Sequence, residues 1–273
     1  MKSYKYPLTT LLAMAAISGS SSAAIIGIET FDTNGAIAGQ TGGTGFNYDN
    51  LNSTVTATTS DWDNVTGAPS VSGGVLNVSG SSAKREFNGN IEGSAGADGP
   101  DTERNGGFRG AGVVFFKYDM TRTASSSWSG LSSYDFSGGS AEKLFFGVSN
   151  GGTDEVRLAI SGGGAGFDTG LFVADGSTNT FMGVVDFDND LIGIWLNPDG
   201  TDSWNGSGGS ADGTVAYTGS NWSTAARLGG GNVASFDNLV IGTDFSEVQA
   251  VPEPSSAALL GLGGLALILR RRK

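Results

Sequence analysis

Residues 180–196, TFMGVVDFDNDLIGIWL, decide the fold. Two apolar runs flank Asp188, Asn189 and Asp190, residues that favour tight turns, and the spacing predicts a β-hairpin. Asn197, Pro198, Asp199 and Gly200 then close the second strand with another turn. The same alternation of short apolar runs and turn residues recurs outward from this hairpin in both directions. Glycine makes up 46 of 273 residues and is scattered with Ser, Thr, Asn and Asp between the runs. Turn residues that frequent predict an all-β sandwich or barrel.

Further strands are expected at 25–31, 51–59, 75–78, 84–87, 111–121, 144–149, 155–161, 170–174, 225–228 and 235–241. The Val-Val-Phe-Phe run inside 111–121 predicts a strand buried on both faces. Residues 88–107 carry five charged side chains and six glycines and read as a long exposed loop. No useful helical period occurs between the two termini.

The ends differ from the body. Lys2 and Lys5 precede an apolar stretch at 8–17, and Ser22, Ala23 and Ala24 follow as small residues. That is the order of a signal peptide, with cleavage expected after Ala24. The other end, 251–273, reads VPEPSSAALLGLGGLALILRRRK. Pro252, Glu253 and Pro254 form a stiff, extended segment, because proline lacks an N–H and restricts the residue before it. An apolar run at 257–269 follows, then the cations Arg270, Arg271, Arg272 and Lys273. Thirteen residues make a helix of about 20 Å, short against a hydrocarbon core of about 30 Å, although snorkelling arginines extend its reach. The cations would stop on the cytoplasmic side.

Motif, apolar run and basic end, in that order, closely resemble the PEP-CTERM sorting signal of Gram-negative bacteria that make exopolysaccharide. The resemblance implies that exosortase, a membrane-embedded cysteine transpeptidase, recognises Pro252, Glu253 and Pro254 and removes the anchor. It also implies export through the Sec machinery and a transient inner-membrane stage before release to the cell surface or matrix. A looser resemblance covers the body. The opening IETFD, the VVDFDND–LIGIWLNPDG hairpin and the closing SFDNLVIGTDFSEV look like concanavalin A-like (laminin G-like) jelly rolls. In that fold the first and last strands pair. The expected organisation is a signal peptide at 1–24, a β-sandwich at 25–246, a tether at 247–251 and the sorting signal at 252–273.

Charge narrows the function. The chain has 15 Lys and Arg, 27 Asp and Glu, and a net charge of −12. Removing the two end segments takes six of the cations and one acid, which leaves the body at −17. Phosphate backbones and anionic lipid would repel it, so nucleic acid is not an expected partner. Cysteine and histidine are both absent. No disulfide, no His- or Cys-based zinc site and no histidine-dependent nucleophile can exist, leaving carboxylates, lysine or tyrosine for chemistry.

Three sets of residues carry candidate functions. Asp186, Asp188 and Asp190 begin like a calcium loop, but Leu191 replaces the required glycine and Asn197 the terminal glutamate. A hairpin turn with solvated carboxylates is expected instead, as are solvated loop charges around Asp61 and Asp63; no cofactor is expected, with a surface Ca2+ left open. Glycosidases of the jelly-roll family carry E-x-D-x-x-E on one strand, and none of Glu29, Glu86, Glu92, Glu103, Glu142, Glu155 or Glu247 fits it. Trp62, Trp128, Trp195, Trp204 and Trp222 could stack on sugar rings. Trp195 sits in a strong strand and reads as core. Trp204 and Trp222, in polar loops, are the candidate carbohydrate contacts. The resulting expectation is an exported, non-catalytic structural or carbohydrate-associated module of the exopolysaccharide matrix. Its alternative is a carbohydrate-active enzyme with a different carboxylate pair, and a third reading is a surface protein with no ligand.

Overall fold

The computed structural model describes residues 25–44, 46–48, 58–59, 62–86, 112–123, 127–135, 141–149, 154–160, 166–218 and 225–250. Ala24, Trp222 and everything from 251 onward, including Pro252, Glu253, Pro254 and the four terminal cations, lie outside them, as do the predicted loop at 88–107 and most of the strand expected at 51–59. The described strands are β1 (Ile25–Glu29), β2 (Gly35–Ala36), β3 (Asn47–Tyr48), β4 (Thr58–Thr59), β5 (Trp62–Thr66), β6 (Ser70–Ser72), β7 (Val75–Val78), β8 (Ser81–Glu86) and β9 (Val113–Arg122). Then come β10 (Ser129–Asp135), β11 (Ala141–Val148), β12 (Glu155–Ile160), β13 (Gly166–Phe172), β14 (Thr178–Asp186), β15 (Leu191–Leu196), β16 (Gly213–Ala216), β17 (Ala225–Gly230) and β18 (Ala234–Gly242). One short helix, α1 (Phe245–Ala250), follows.

Among these residues the chain is all-β and its strand pairs are antiparallel. The first sheet runs β16-β15-β14-β9-β18-β7-β6-β2, with β1 also paired to β18. The second runs β13-β12-β11-β10-β17-β8-β5, and β3 pairs only with β4. The two large sheets pack face to face. Phe116 from β9 meets Phe146 from β11 with ring centroids 4.6 Å apart. Tyr118 Oη donates to the Phe146 carbonyl at 2.8 Å, a polar tie through the core, and burial raises the phenol's pKa.

The hairpin at 180–196 forms as its sequence predicts, with β14 and β15 in register from Phe181 opposite Leu196 to Asp186 opposite Leu191. Gly183 stands directly opposite Phe116, and a Cβ there would collide with that ring. The double-sided burial expected of β9 is also present. Val114, Phe116, Tyr118 and Met120 enter the space between the sheets, while Phe115 joins a second apolar cluster on the outside of the first sheet.

That second cluster explains the helix. Phe115, Met182, Val184, Trp195 and Val240 form an apolar patch, and α1 lies over it with Val248 fully buried. Phe245 packs on Phe115 at 5.6 Å and on Trp195 at 5.1 Å. Asp244 caps the helix, accepting from Glu247 N at 3.0 Å and Ser246 Oγ at 2.5 Å, and these bonds lower its pKa. Residues 247–250 of the expected tether are therefore part of a docked helix. Six residues are too few to show a helical period.

β18 occupies the middle of the first sheet. One edge pairs along β9; the other pairs with β7 through its first residues and with β1 through its last. The first and last strands meet, as the jelly-roll resemblance implies. Near this junction lies a buried charge pair. Arg85, on β8, donates from Nη1 to Glu29 Oε2 at the end of β1 and to Gly42 O at 2.5 Å. Glu29 also accepts from Trp62 Nε1 and Phe31 N, each at 3.0 Å. Phe31 holds a left-handed φ of 49° that a bulky side chain rarely adopts. Trp62 is fully buried here, so the acidic stretch around it is only in part a solvated loop; Asp63 pairs with Lys84 at 3.4 Å.

Candidate functional site

Strand register places the site. Leu228, Leu131, Phe146 and Leu158 stand side by side across β17, β10, β11 and β12, and all are buried between the sheets. Side chains alternate along a strand, so the rows on either side of this one face outward. One outward row is Arg227, Ser132, Phe145 and Ala159; the other is Gly229, Gly130, Gly147, Arg157 and Asp168. The glycine row leaves a trough across the sheet. A Cβ at Gly130 or Gly147 would collide with the facing strand's backbone, and one at Gly229 would press on Ser82 and Trp128.

The result is an open groove of about 460 Å³, lined by Trp128, Glu142, Phe145, Ser149, Arg157, Ala159 and Arg227. Its size falls within the range of about 300–1,000 Å³ usual for small-ligand clefts. Trp128 and Phe145 meet edge to face with centroids 6.2 Å apart, and the Arg227 guanidinium lies 4.9 Å from the Trp128 ring. Glu142 reaches this face through an irregularity in the β10–β11 register between Ser133 and Tyr134. Its Oε2 accepts from Ser132 Oγ at 2.6 Å and lies 3.8 Å from Arg227 Nη2. Arg157 Nη1 donates to both carboxylate oxygens of Asp168, at 2.8 and 2.7 Å. Two carboxylates and two guanidiniums thus balance each other beside a pair of aromatic rings. Such a site offers an apolar ring face, fixed hydrogen-bonding groups and one oriented, partly exposed carboxylate.

Trp204, expected as a carbohydrate contact, lies outside this groove. It covers the outside of the first sheet, its ring 5.6 Å from Trp195, and its Nε1 donates to Asp186 Oδ2 at 2.8 Å. The N–H that a sugar hydroxyl would need is already engaged. Asp186 is fully buried, not solvated, and also accepts from Asn189 N and Nδ2, each at 3.0 Å. Asp188 accepts from Gly112 N at 2.8 Å. The calcium-like stretch is thus a pinned turn. Among the described residues no three acidic side chains gather as a metal cage. Nor is any described helix long and apolar enough to cross a membrane.

Residues 250–273 match the PEP-CTERM protein-sorting motif. The chain carries a PEP-CTERM sorting signal. Such a signal marks an exported protein handed to exosortase, as the order of the tail predicts. No curated protein sequence matches the chain. At the level of fold, the PEP-CTERM chain is similar to Trypanosoma rangeli sialidase in complex with sialic acid, with a TM-score of 0.50 and 10% identity over 84% of this chain and 33% of that one. It thus spans about a third of the sialidase. The T. cruzi calreticulin globular domain has a TM-score of 0.41 at 12% identity, covering 75% and 84% of the two chains. A bifunctional GH43-CE protein of Bacteroides eggerthii has 0.39 at 14%, covering 64% and 22%. The expectation that the body is not an enzyme is corrected at the level of fold, since a sialidase is built on a similar framework. Failure of one jelly-roll glycosidase pattern does not exclude catalysis on such a framework.

Proposed function

We propose that this PEP-CTERM protein is exported by the Sec route, held briefly by its tail in the inner membrane, and released by exosortase to work on extracellular carbohydrate. On this reading the body is a concanavalin A-like jelly roll at the cell surface or in the exopolysaccharide matrix, a reading that the pairing of β1 with β18 supports. The groove on the second sheet takes the saccharide, and the protein is a carbohydrate-active enzyme. Trp128 and Phe145 would stack on sugar rings, and Glu142 would act as the carboxylate nearest the bond that is cut. Asp168, held by Arg157, is the neighbouring carboxylate on that face.

The observation that carries this reading is the fixed carboxylate beside an aromatic wall: Glu142 on Ser132 Oγ, next to Arg227 stacked on Trp128. The test uses purified exported protein and matrix polysaccharide, following both retention on an affinity gel and new reducing ends. Wild type should show both. Glu142→Gln should retain polysaccharide without cutting it, and Trp128→Ala should lose both. Retention with no reducing ends from wild type refutes the catalytic part. Unchanged behaviour of Trp128→Ala removes the groove from the account.

A further inference from the structure

We infer that docking of α1 controls access of exosortase to the sorting motif, so that cleavage waits on release of the helix from the body. The inference rests on the sorting reading above and adds a step that the motif alone does not contain. α1 ends at Ala250, and Val251 alone separates it from Pro252. One residue spans at most about 3.6 Å. An enzyme that grips an extended peptide needs free chain on both sides of the bond it attacks, because extended segments are recognised through their backbone. With α1 in place, the upstream side consists of one residue attached to a folded domain.

The contacts show how the helix is held. Val248 is fully buried, and Phe245 lies between Phe115 and Trp195. At the helix's last turn, Lys117 Nζ donates to Gln249 O at 3.0 Å, and Gln249 Nε2 donates to Asp199 O. The body thus grips the residue three positions before the motif. A six-residue helix has no stability of its own. Undocking therefore also melts it, and residues 244–251 become extended chain upstream of Pro252. Release of one short element frees the chain immediately upstream of the motif.

The test follows processing by pulse-chase in cells that contain exosortase, with mass spectrometry to separate full-length from cleaved protein. Val248→Ser removes the helix's buried anchor and should speed cleavage on the order of tenfold. Because that variant could act by loosening the whole body, a second one leaves the body untouched: a six-residue Gly-Ser linker inserted between Ala250 and Val251. The linker alone should speed cleavage to a similar degree, and adding Val248→Ser to it should change nothing more. Cleavage of both single variants at the wild-type rate overturns the gate. So does a further acceleration by Val248→Ser on top of the linker. Wild type and both variants all left uncut in the same cells overturn the sorting reading together with the gate.

Discussion

Removing Arg85 should be strongly destabilising. Its guanidinium is fully buried, donates to Glu29 and Gly42 O, and lies 4.4 Å from the Phe46 ring. Arg85→Met keeps most of the packing volume but strands the Glu29 carboxylate, whose side chain is only 3% exposed. Breaking one side of a buried ion pair costs about 3–5 kcal/mol, since the remaining charge has lost both water and partner. In a domain of 150–250 residues each kcal/mol lowers Tm by about 2–4 °C, so a fall on the order of 10 °C is expected. Thermal unfolding followed by tryptophan emission reads it directly, because Trp62 donates to the same carboxylate. The double variant Glu29→Leu with Arg85→Met should recover part of the loss, as no charge is then stranded. Recovery should be incomplete, because Phe31 N and Trp62 Nε1 lose their acceptor. An Arg85→Met protein within about 1 kcal/mol of wild type would refute the reasoning. A double variant less stable than the single would do the same.

Trp204→Phe removes a hydrogen bond to the buried Asp186 carboxylate and should cost about 1.5–3 kcal/mol in urea unfolding. Gly183→Ala drives a methyl group into the Phe116 ring and should cost at least about 1–3 kcal/mol, visible in the same experiment. The Asp244 cap should make α1 acid-sensitive. Its pKa is depressed in the folded protein by Ser246 and the Glu247 amide, so its contribution is present above the unfolded value of about 3.9 and is lost as pH falls through the folded one. The protection factor of the Val248 amide, its exchange relative to the unfolded rate at the same pH, should therefore fall at low pH, and Asp244→Ala should lower it at pH 7 by weakening a cap worth about 1 kcal/mol.

The parts of this fold that were legible in sequence are those in which burial is written in bulky residues. β9, β14 and β15 carry dense apolar runs broken by turn chemistry, and their boundaries fall close to the expected ones. β10 was missed because its sequence, SGLSSYD, reads as a loop. Leu131 faces the core, while Gly130 and Ser132 face the groove and must stay small beneath larger neighbours. The groove itself draws on β10, β11, β12 and β17, and the pairing of β10 with β17 across about a hundred residues leaves no spacing to detect. Trp204 misled for a related reason. Its partner Asp186 lies eighteen residues earlier, so a tryptophan surrounded by Ser, Asn and Gly looked free when it was pinned. The tail was the reverse case, since a short contiguous segment contains its own recognition chemistry.

The position of β18 has a consequence for how such a protein is made. The strand that fills the centre of the first sheet is the last of the described strands to be synthesised, and it joins β9, β7 and β1 at once. On the proposed Sec route, a chain threaded outward from its beginning must keep β1 and β9 waiting, each with an edge unsatisfied, until residue 242 has emerged. Pairings this far apart in sequence assemble slowly and expose sticky edges meanwhile. The interval before completion is therefore the vulnerable one, when extracytoplasmic chaperones and proteases compete for an unfinished molecule.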